Sequence, residues 1–204
     1  MRAALIRSQG DPDVLELTDV ETPEPAPGEA LVRVRACALN HLDLWTRSGR
    51  AGYKPPLPHI LGNDIAGEIA SLPAGVDTAG LSVGQRVMLQ PGTSCGRCAM
   101  CLAGDDFLCR KYRILGHGRS GGYAEFVAAP LASLIPIPDS IPFENAAAFP
   151  LVFLTAWRML VVRAQVRMGD DVLVWAAGSG VGMAAIQIAK LMGARVIATA
   201  GGEK

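Results

Sequence analysis

The chain has 204 residues, half of them hydrophobic and 19% charged, and its 19 basic and 19 acidic side chains cancel to zero formal charge. Such a composition excludes a disordered chain and a coiled coil, and without any basic run it gives no support to a nucleic-acid partner. The length suits one large domain or two small ones.

The opening "MRAALIRSQGDPDVLEL" is predicted as a strand and turn. It lacks the apolar core and small-residue cleavage site of an export signal, so a cytoplasmic location is expected. Reducing conditions there favour clustered cysteines as metal ligands over disulfides. Up to about residue 145, short strands alternate with Gly and Pro. In "ALVRVRACAL" (30–39), Val32 and Val34 alternate with Arg33 and Arg35, the period of a half-buried strand. "IAGEIASL", "GQRVMLQP", "YAEFVAAP" and "ASLIPIP" add further strands, and "TPEPAPGE" (22–29) is a rigid connection. Many short strands joined by turns predict a partly open barrel.

Within this region "SCGRCAMCLAGDDFLC" (94–109) holds four of the five cysteines. Cys95, Cys98, Cys101 and Cys109 have the spacing C-x2-C-x2-C-x7-C, whose short steps let one loop wrap a tetrahedral zinc ion. Four thiolates leave no position for water or substrate, so the expected Zn2+ is structural. A bacterial iron–sulfur run would have three residues before the last cysteine and a proline after it, whereas Arg110 follows here. Cys37 stands apart and reads as a small core residue.

Near Asn145 the texture becomes helical. The apolar stretch "AAAFPLVFLTAW" (146–157) contains Pro150 and stops at Arg158, short of the roughly 20 residues of a membrane span. It is predicted as a buried segment, with no membrane partner. A strand, a Gly-rich turn, a helix and a second strand follow. Val172 to Trp175 form the buried run of a parallel strand, and Val181, Ala184, Ala185, Ile188, Leu191 and Met192 mark one helix face. Gly193 ends the helix, and "RVIATA" opens the next strand. The expected fold class is α/β with a β-rich domain: residues 1–150 form the barrel, and 151–204 the first β-α-β unit of a doubly wound domain. One such unit leaves an open sheet edge, so the sequence reads as unfinished.

"AAGSGVG" (176–182) lies where a phosphate-binding turn belongs. Strict GxGxxG fails, because Ala177 and Ser179 replace its first two glycines. With correct flanking elements, Gly180, Val181 and Gly182 are nevertheless expected to meet a dinucleotide pyrophosphate; an ordinary glycine-rich βα turn is the bland alternative. NAD would call for an acidic residue at the end of the second strand. Ala200 stands there, followed by two glycines and by Lys204, which could pair with a 2′-phosphate. NADPH is therefore expected over NADH.

The order "PGEALVRVRA", "NHLDLWTRSG", "PHILGNDIAGEI", "VGQRV", "CGRCAMC", "AAAFPLVFLTAW", "AAGSGVG" resembles the medium-chain dehydrogenase/reductase superfamily, the group of zinc alcohol dehydrogenases and quinone oxidoreductases. The resemblance implies a GroES-like catalytic domain with a zinc lobe at about 92–112, then a Rossmann domain within which this sequence stops. It also implies that the family's catalytic zinc is missing. Asn40, Asn63 and Leu151 occupy its three ligand positions, and Leu42 that of the proton-relaying hydroxyl.

Further roles follow from the same resemblance. His41 would contact cofactor phosphate, and Thr155 would pack on the nicotinamide. Asn40 would hydrogen-bond the nicotinamide or the acceptor carbonyl, and Tyr53 could donate to the acceptor. Asp43 and Asp64 join Asn40 and Tyr53 as catalytic candidates, either as hydrogen-bonding scaffold or, with His41 and His59, as a nonstandard metal site. The implied reaction is hydride transfer from NADPH to a small carbonyl, quinone or enone. The alternatives are an alcohol or aldehyde dehydrogenase with nonstandard metal ligands, and an inert zinc-binding remnant. Members often form homo-oligomers through their cofactor domains.

Overall fold

The structure, a computed structural model, describes residues 1–202. It divides into two units, Met1–Pro150 and a second that begins at Leu151.

In the first unit β1 (Arg2–Ile6) pairs antiparallel with both β2 (Leu15–Asp19) and the short β4 (His59–Ile60). The main sheet is built on β3 (Glu29–Ala38), with β5 (Asp64–Ser71), β6 (Arg86–Leu89), β9 (Phe126–Pro130) and β10 (Leu134–Pro136) in the order β10-β6-β5-β3-β9. The alternation read in β3 holds: Val32 is buried and Arg33 exposed. The register between β3 and β5 shifts at Leu31/Val32 and at Val34/Ala36. Such irregularities bend a sheet and raise its twist. Gly67 permits the bend, since a Cβ there would stand 2.1 Å from the Arg33 carbonyl oxygen. No sheet among the described residues closes on itself, which suits a partly open barrel. Val32, Ile65, Ile69, Val87, Leu89, Leu115 and Val127 form its core.

Three short helices decorate this unit: α1 (His41–Ser48), α2 (Ala99–Leu102) and α3 (Phe143–Ala147). A separate two-stranded ribbon, β7 (Gly92–Thr93) with β8 (Arg113–Ile114), brackets the cysteine loop. α4 (Pro150–Trp157) continues into a π-helical stretch, Arg158–Arg163, where Ala164 N–H bonds back to the Met159 carbonyl.

By length and composition the helical run Phe143–Arg163 could cross a membrane. Ala148 and Phe149 interrupt it, however, and Ala156 and Leu160 enter the core of the second unit. The expectation that 146–157 is wholly buried is not met, because Phe149, Leu154 and Trp157 are exposed.

The second unit pairs β11 (Asp171–Val174) parallel with β12 (Arg195–Ala198), joined through α5 (Gly180–Leu191). α5 covers one face of the pair, where Val172, Val174 and Val196 meet Ala184, Ala185 and Ile188. The opposite face departs from the expected buried run: Leu173 is 53% exposed, and Trp175, already in the turn, is 76% exposed. Leu191, assigned above to the apolar helix face, is likewise exposed.

Candidate functional site

Glycines make the framework of the first unit's candidate site. Segment 60–64 and segment 115–123 meet backbone to backbone. Gly121, Gly122 and Tyr123 donate their N–H groups to the carbonyls of Ile60, Gly62 and Leu61. A Cβ at Gly116 or Gly121 would come within 2.4 or 2.1 Å of the Gly62 carbonyl oxygen. Gly62 itself has φ +98°, and a Cβ there would strike Tyr123.

This clamp presents Asn63 and Asp64. Asn63 points inward and donates to the Leu115 carbonyl, while its Oδ1 is buried without a partner. Asp64 accepts a 2.9 Å hydrogen bond from Asn40 Nδ2. A carboxylate only accepts, so this bond fixes the amide's orientation and leaves one Nδ2–H for another partner. Asn40 is also the N-cap of α1, and its backbone N–H donates to Asp43 Oδ2 at 2.8 Å. Asp43 Oδ1 accepts from Gly62 N–H at 2.9 Å. Burial pushes the Asp43 carboxyl above the usual range against the pull of those two N–H groups.

Asp43 (3% exposed) and Asp64 (1%) thus tie α1 to the glycine clamp. Their carboxylates are engaged with backbone and with Asn40, which fits positioning residues better than groups that touch a ligand. Cys37 is partly buried against the main core, as expected, and burial pushes its thiol well up. Tyr123 lies with its hydroxyl buried beside the Asp43 carboxylate; burial first, then the Asp43 charge, drives its ionisation upward.

Tyr53 is already committed. Its hydroxyl donates to the His117 carbonyl at 2.9 Å, and its ring stacks on the His117 ring at 3.7 Å. The expected donation from Tyr53 to an acceptor is therefore not free in this arrangement. His117 Nδ1 lies 2.7 Å from Thr46 Oγ1, whose hydroxyl hydrogen goes to the Leu42 carbonyl. With that hydrogen spent, Nδ1 must be the donor, and Nε2 keeps its lone pair. Burial, followed by the nearby His59, holds His117 below the usual histidine range. His59 is fully buried, donates Nε2–H to the Gly116 carbonyl, and is likewise lowered by burial. His41 is exposed at the start of α1, its ring tilted against Trp45. Among the described residues, His41, Asp43, His59 and Asp64 assemble no metal-binding trio.

The four cysteines do assemble. The sulfurs of Cys95, Cys98, Cys101 and Cys109 all lie within 4.8 Å of one another, with Cys98–Cys101 at 3.5 Å and Cys95–Cys101 at 3.9 Å. Tetrahedral zinc with bonds of about 2.3 Å requires sulfurs about 3.8 Å apart, so the donor set fits the ion in both chemistry and spacing. The Arg97 N–H, more than any other group, pulls Cys95 down to about 6, and Lys111 N–H donates to Cys109 Sγ. These backbone donors favour the thiolate form that the ion needs.

In the second unit, Ser179 caps α5 by accepting the Gly182 N–H at 3.0 Å. Gly182 is therefore not a free donor. A Cβ there would lie 2.4 Å from the Ala176 carbonyl oxygen, so this glycine serves the close approach of turn and helix. Gly180 and Val181 remain as first-turn amides without intrahelical acceptors. Thr155 donates its hydroxyl to the Leu151 carbonyl at 2.7 Å, which leaves its methyl as a packing surface. Lys204 lies outside the described residues.

A model of the alcohol dehydrogenase GroES-like domain matches residues 26–139. The chain belongs to the medium-chain dehydrogenase/reductase superfamily. It is 36% identical to an alcohol dehydrogenase of Geobacillus stearothermophilus over 97% of this chain and 57% of that protein. It is also 36% identical to a quinone oxidoreductase of Mus musculus over 100% of this chain and 54% of the relative. Among solved structures, a NAD-dependent alcohol dehydrogenase superposes with a TM-score of 0.94 at 57% identity, over 99% of this chain and 58% of that one. The chain thus spans about half the length of the curated relatives it matches. Two residues of this superfamily member, His117 and Ser179, were not singled out from sequence. Ser179 directly before a helix was a readable cap signal; His117 offered no local one.

Proposed function

We propose that the whole protein is an NADPH-dependent oxidoreductase that passes hydride to a quinone or an enone without a catalytic zinc. The observation that carries this reading is Asn40, held by Asp64 at the position where relatives that use zinc place a thiolate. Asn63, buried and turned to the Leu115 carbonyl, and Leu151 stand at the other two ligand positions that the resemblance implies, and neither side chain is a thiolate or an imidazole. An electron-poor conjugated acceptor spreads incoming charge over its own π system, so hydrogen bonds can replace a Lewis acid. Asn40 would supply one of them through its remaining N–H.

Bound NADPH would supply the hydride. Gly180 and Val181 would donate to its pyrophosphate at the N-terminus of α5, and the Thr155 methyl would pack on the ring. Ala200 stands where an NAD-binding strand would end in a carboxylate, and that supports NADPH. Cys95, Cys98, Cys101 and Cys109 would hold one zinc ion that shapes their loop and does no chemistry. A cytoplasmic location and a homo-oligomer belong to the same proposal.

Nicotinamide absorbance tests it: NADPH should be oxidised by p-benzoquinone or an enone, and a primary alcohol should not reduce NADP+. A second reading, a zinc-dependent alcohol dehydrogenase, is favoured by the 57% identity to a NAD-dependent alcohol dehydrogenase. About two zinc ions per chain, with alcohol oxidation, would establish that reading instead; about one fits the first.

A further inference from the structure

A cleft of about 610 Å³ opens beside the stacked Tyr53–His117 pair. Its lining includes Tyr53, Lys54, Tyr112, Arg113, His117 and Gly118. None of its lining residues is acidic. Neither Lys54 nor Arg113 forms an ion pair among the described residues. Burial, then the nearby His59, disfavours the charged form of His117, and Lys54 and Arg113 are the cations in the lining.

The walls are set in place by their own contacts. Arg113 donates Nη1–H to the Tyr112 carbonyl at 2.8 Å. Its stem rests on Gly118, where a Cβ would come 2.6 Å from Arg113 Cδ. The guanidinium is thereby aimed while most of its N–H donors stay open. The Tyr112 hydroxyl lies over Gly92, where a Cβ would stand 2.0 Å away, and this anchors its ring. Tyr53 is fixed by its stacking on His117 and by its bond to the His117 carbonyl. Two aromatic side chains and two cations without an ion pair thus line one cleft, a lining whose chemistry suits a flat anion. Its volume falls within the range of small-molecule sites.

We infer that this cleft is a binding site for an organic oxyanion, in particular a planar carboxylate held by Arg113 and Lys54 between the two tyrosines. The site stands independently of the hydride-transfer reading, because its test contains no dinucleotide. Chemical-shift titration of the isotope-labelled protein would use sodium benzoate, its neutral isostere benzamide, and inorganic phosphate as separate probes. Benzoate should shift the resonances of Tyr53, Tyr112 and Arg113, with benzamide at least about tenfold weaker, since a charged hydrogen-bond partner is lost. Arg113→Gln and Lys54→Gln, each with an unchanged circular dichroism spectrum, should weaken benzoate by about tenfold. If phosphate binds and benzoate does not, an oxyanion site stands and the planar carboxylate is overturned. If neither probe binds, if benzamide matches benzoate, or if the folded Arg113→Gln protein binds benzoate as the parent does, the inference fails.

Discussion

Asn40 donates its side-chain amide to the Asp64 carboxylate across 2.9 Å, and Asp64 is almost fully buried. The two residues are 24 positions apart in the chain, so the bond locks the N-terminus of α1 to the start of β5. Asp64→Asn keeps the shape and removes the charge. It should cost about 1.5–3 kcal/mol of stability, the value of a hydrogen bond to a charged group. On the proposed reading it should lower the whole protein's kcat for quinone reduction more than it raises KM, because Asn40 loses the charged partner that orients it. Denaturant unfolding and steady-state kinetics check the two effects separately.

Removing the metal should act on the lobe and leave the rest folded. One zinc ion per chain is expected, released by a thiol-blocking reagent, with four thiols consumed for each ion. Cys98→Ser should abolish tight zinc retention, because a hydroxyl is a poor replacement for a thiolate ligand. Elemental analysis and a chromogenic zinc assay read this outcome. An unchanged zinc content in that variant would count against the four-thiolate cage.

Gly178 and Gly182 look alike in sequence and should behave oppositely. A Cβ at Gly178 meets nothing within 4 Å, whereas at Gly182 it would lie 2.4 Å from a backbone oxygen. Gly182→Ala should therefore destabilise the second unit by about 1–3 kcal/mol, the usual cost of overpacking. Gly178→Ala should leave stability within about 0.5 kcal/mol. Thermal unfolding of both variants makes the comparison.

Acid should destabilise the first unit through its buried histidines. His59 and His117 are both held below the ordinary value of 6.5 in the folded chain. Above that value both states carry neutral rings and nothing is lost. As the pH falls below it, the unfolded chain takes up protons that the folded chain refuses, so stability drops until the folded pKa values are passed. The slope should approach about 1.4 kcal/mol per pH unit for the fully buried His59 and be smaller for the half-buried His117. His59→Gln keeps a donor for the Gly116 carbonyl and should remove part of that slope. Urea unfolding across this pH range tests the sign and the change.

Much of this molecule was legible in its sequence, and the reason lies in the range of the interactions. The alternation of Val32 and Val34 with arginines, the short cysteine steps, and the strand–turn–helix order around "AAGSGVG" are local patterns, and each appears in the fold. Tyr53 and His117 are 64 positions apart, and no local period links them. The Gly62–Gly116–Gly121 clamp is hidden for the same reason, since a glycine gives no sign of which distant carbonyl it admits. The exposure of Leu173 and Trp175 was missed because an apolar run does not reveal how many of its faces the described chain covers. The bond from Gly182 N–H to Ser179 was not legible either, because a motif marks a glycine without telling whether its N–H is free or held by a cap.

The glycine clamp also divides this protein into positions that can be rewritten and positions that cannot. Gly62, Gly116 and Gly121 leave no room for a single added carbon, so a designer who wishes to alter ligand preference has nothing to vary there. Lys54 and Arg113 are exposed and line the cleft that also contains His117 and Gly118. Libraries confined to those two positions would sample new specificities on a framework that stays fixed.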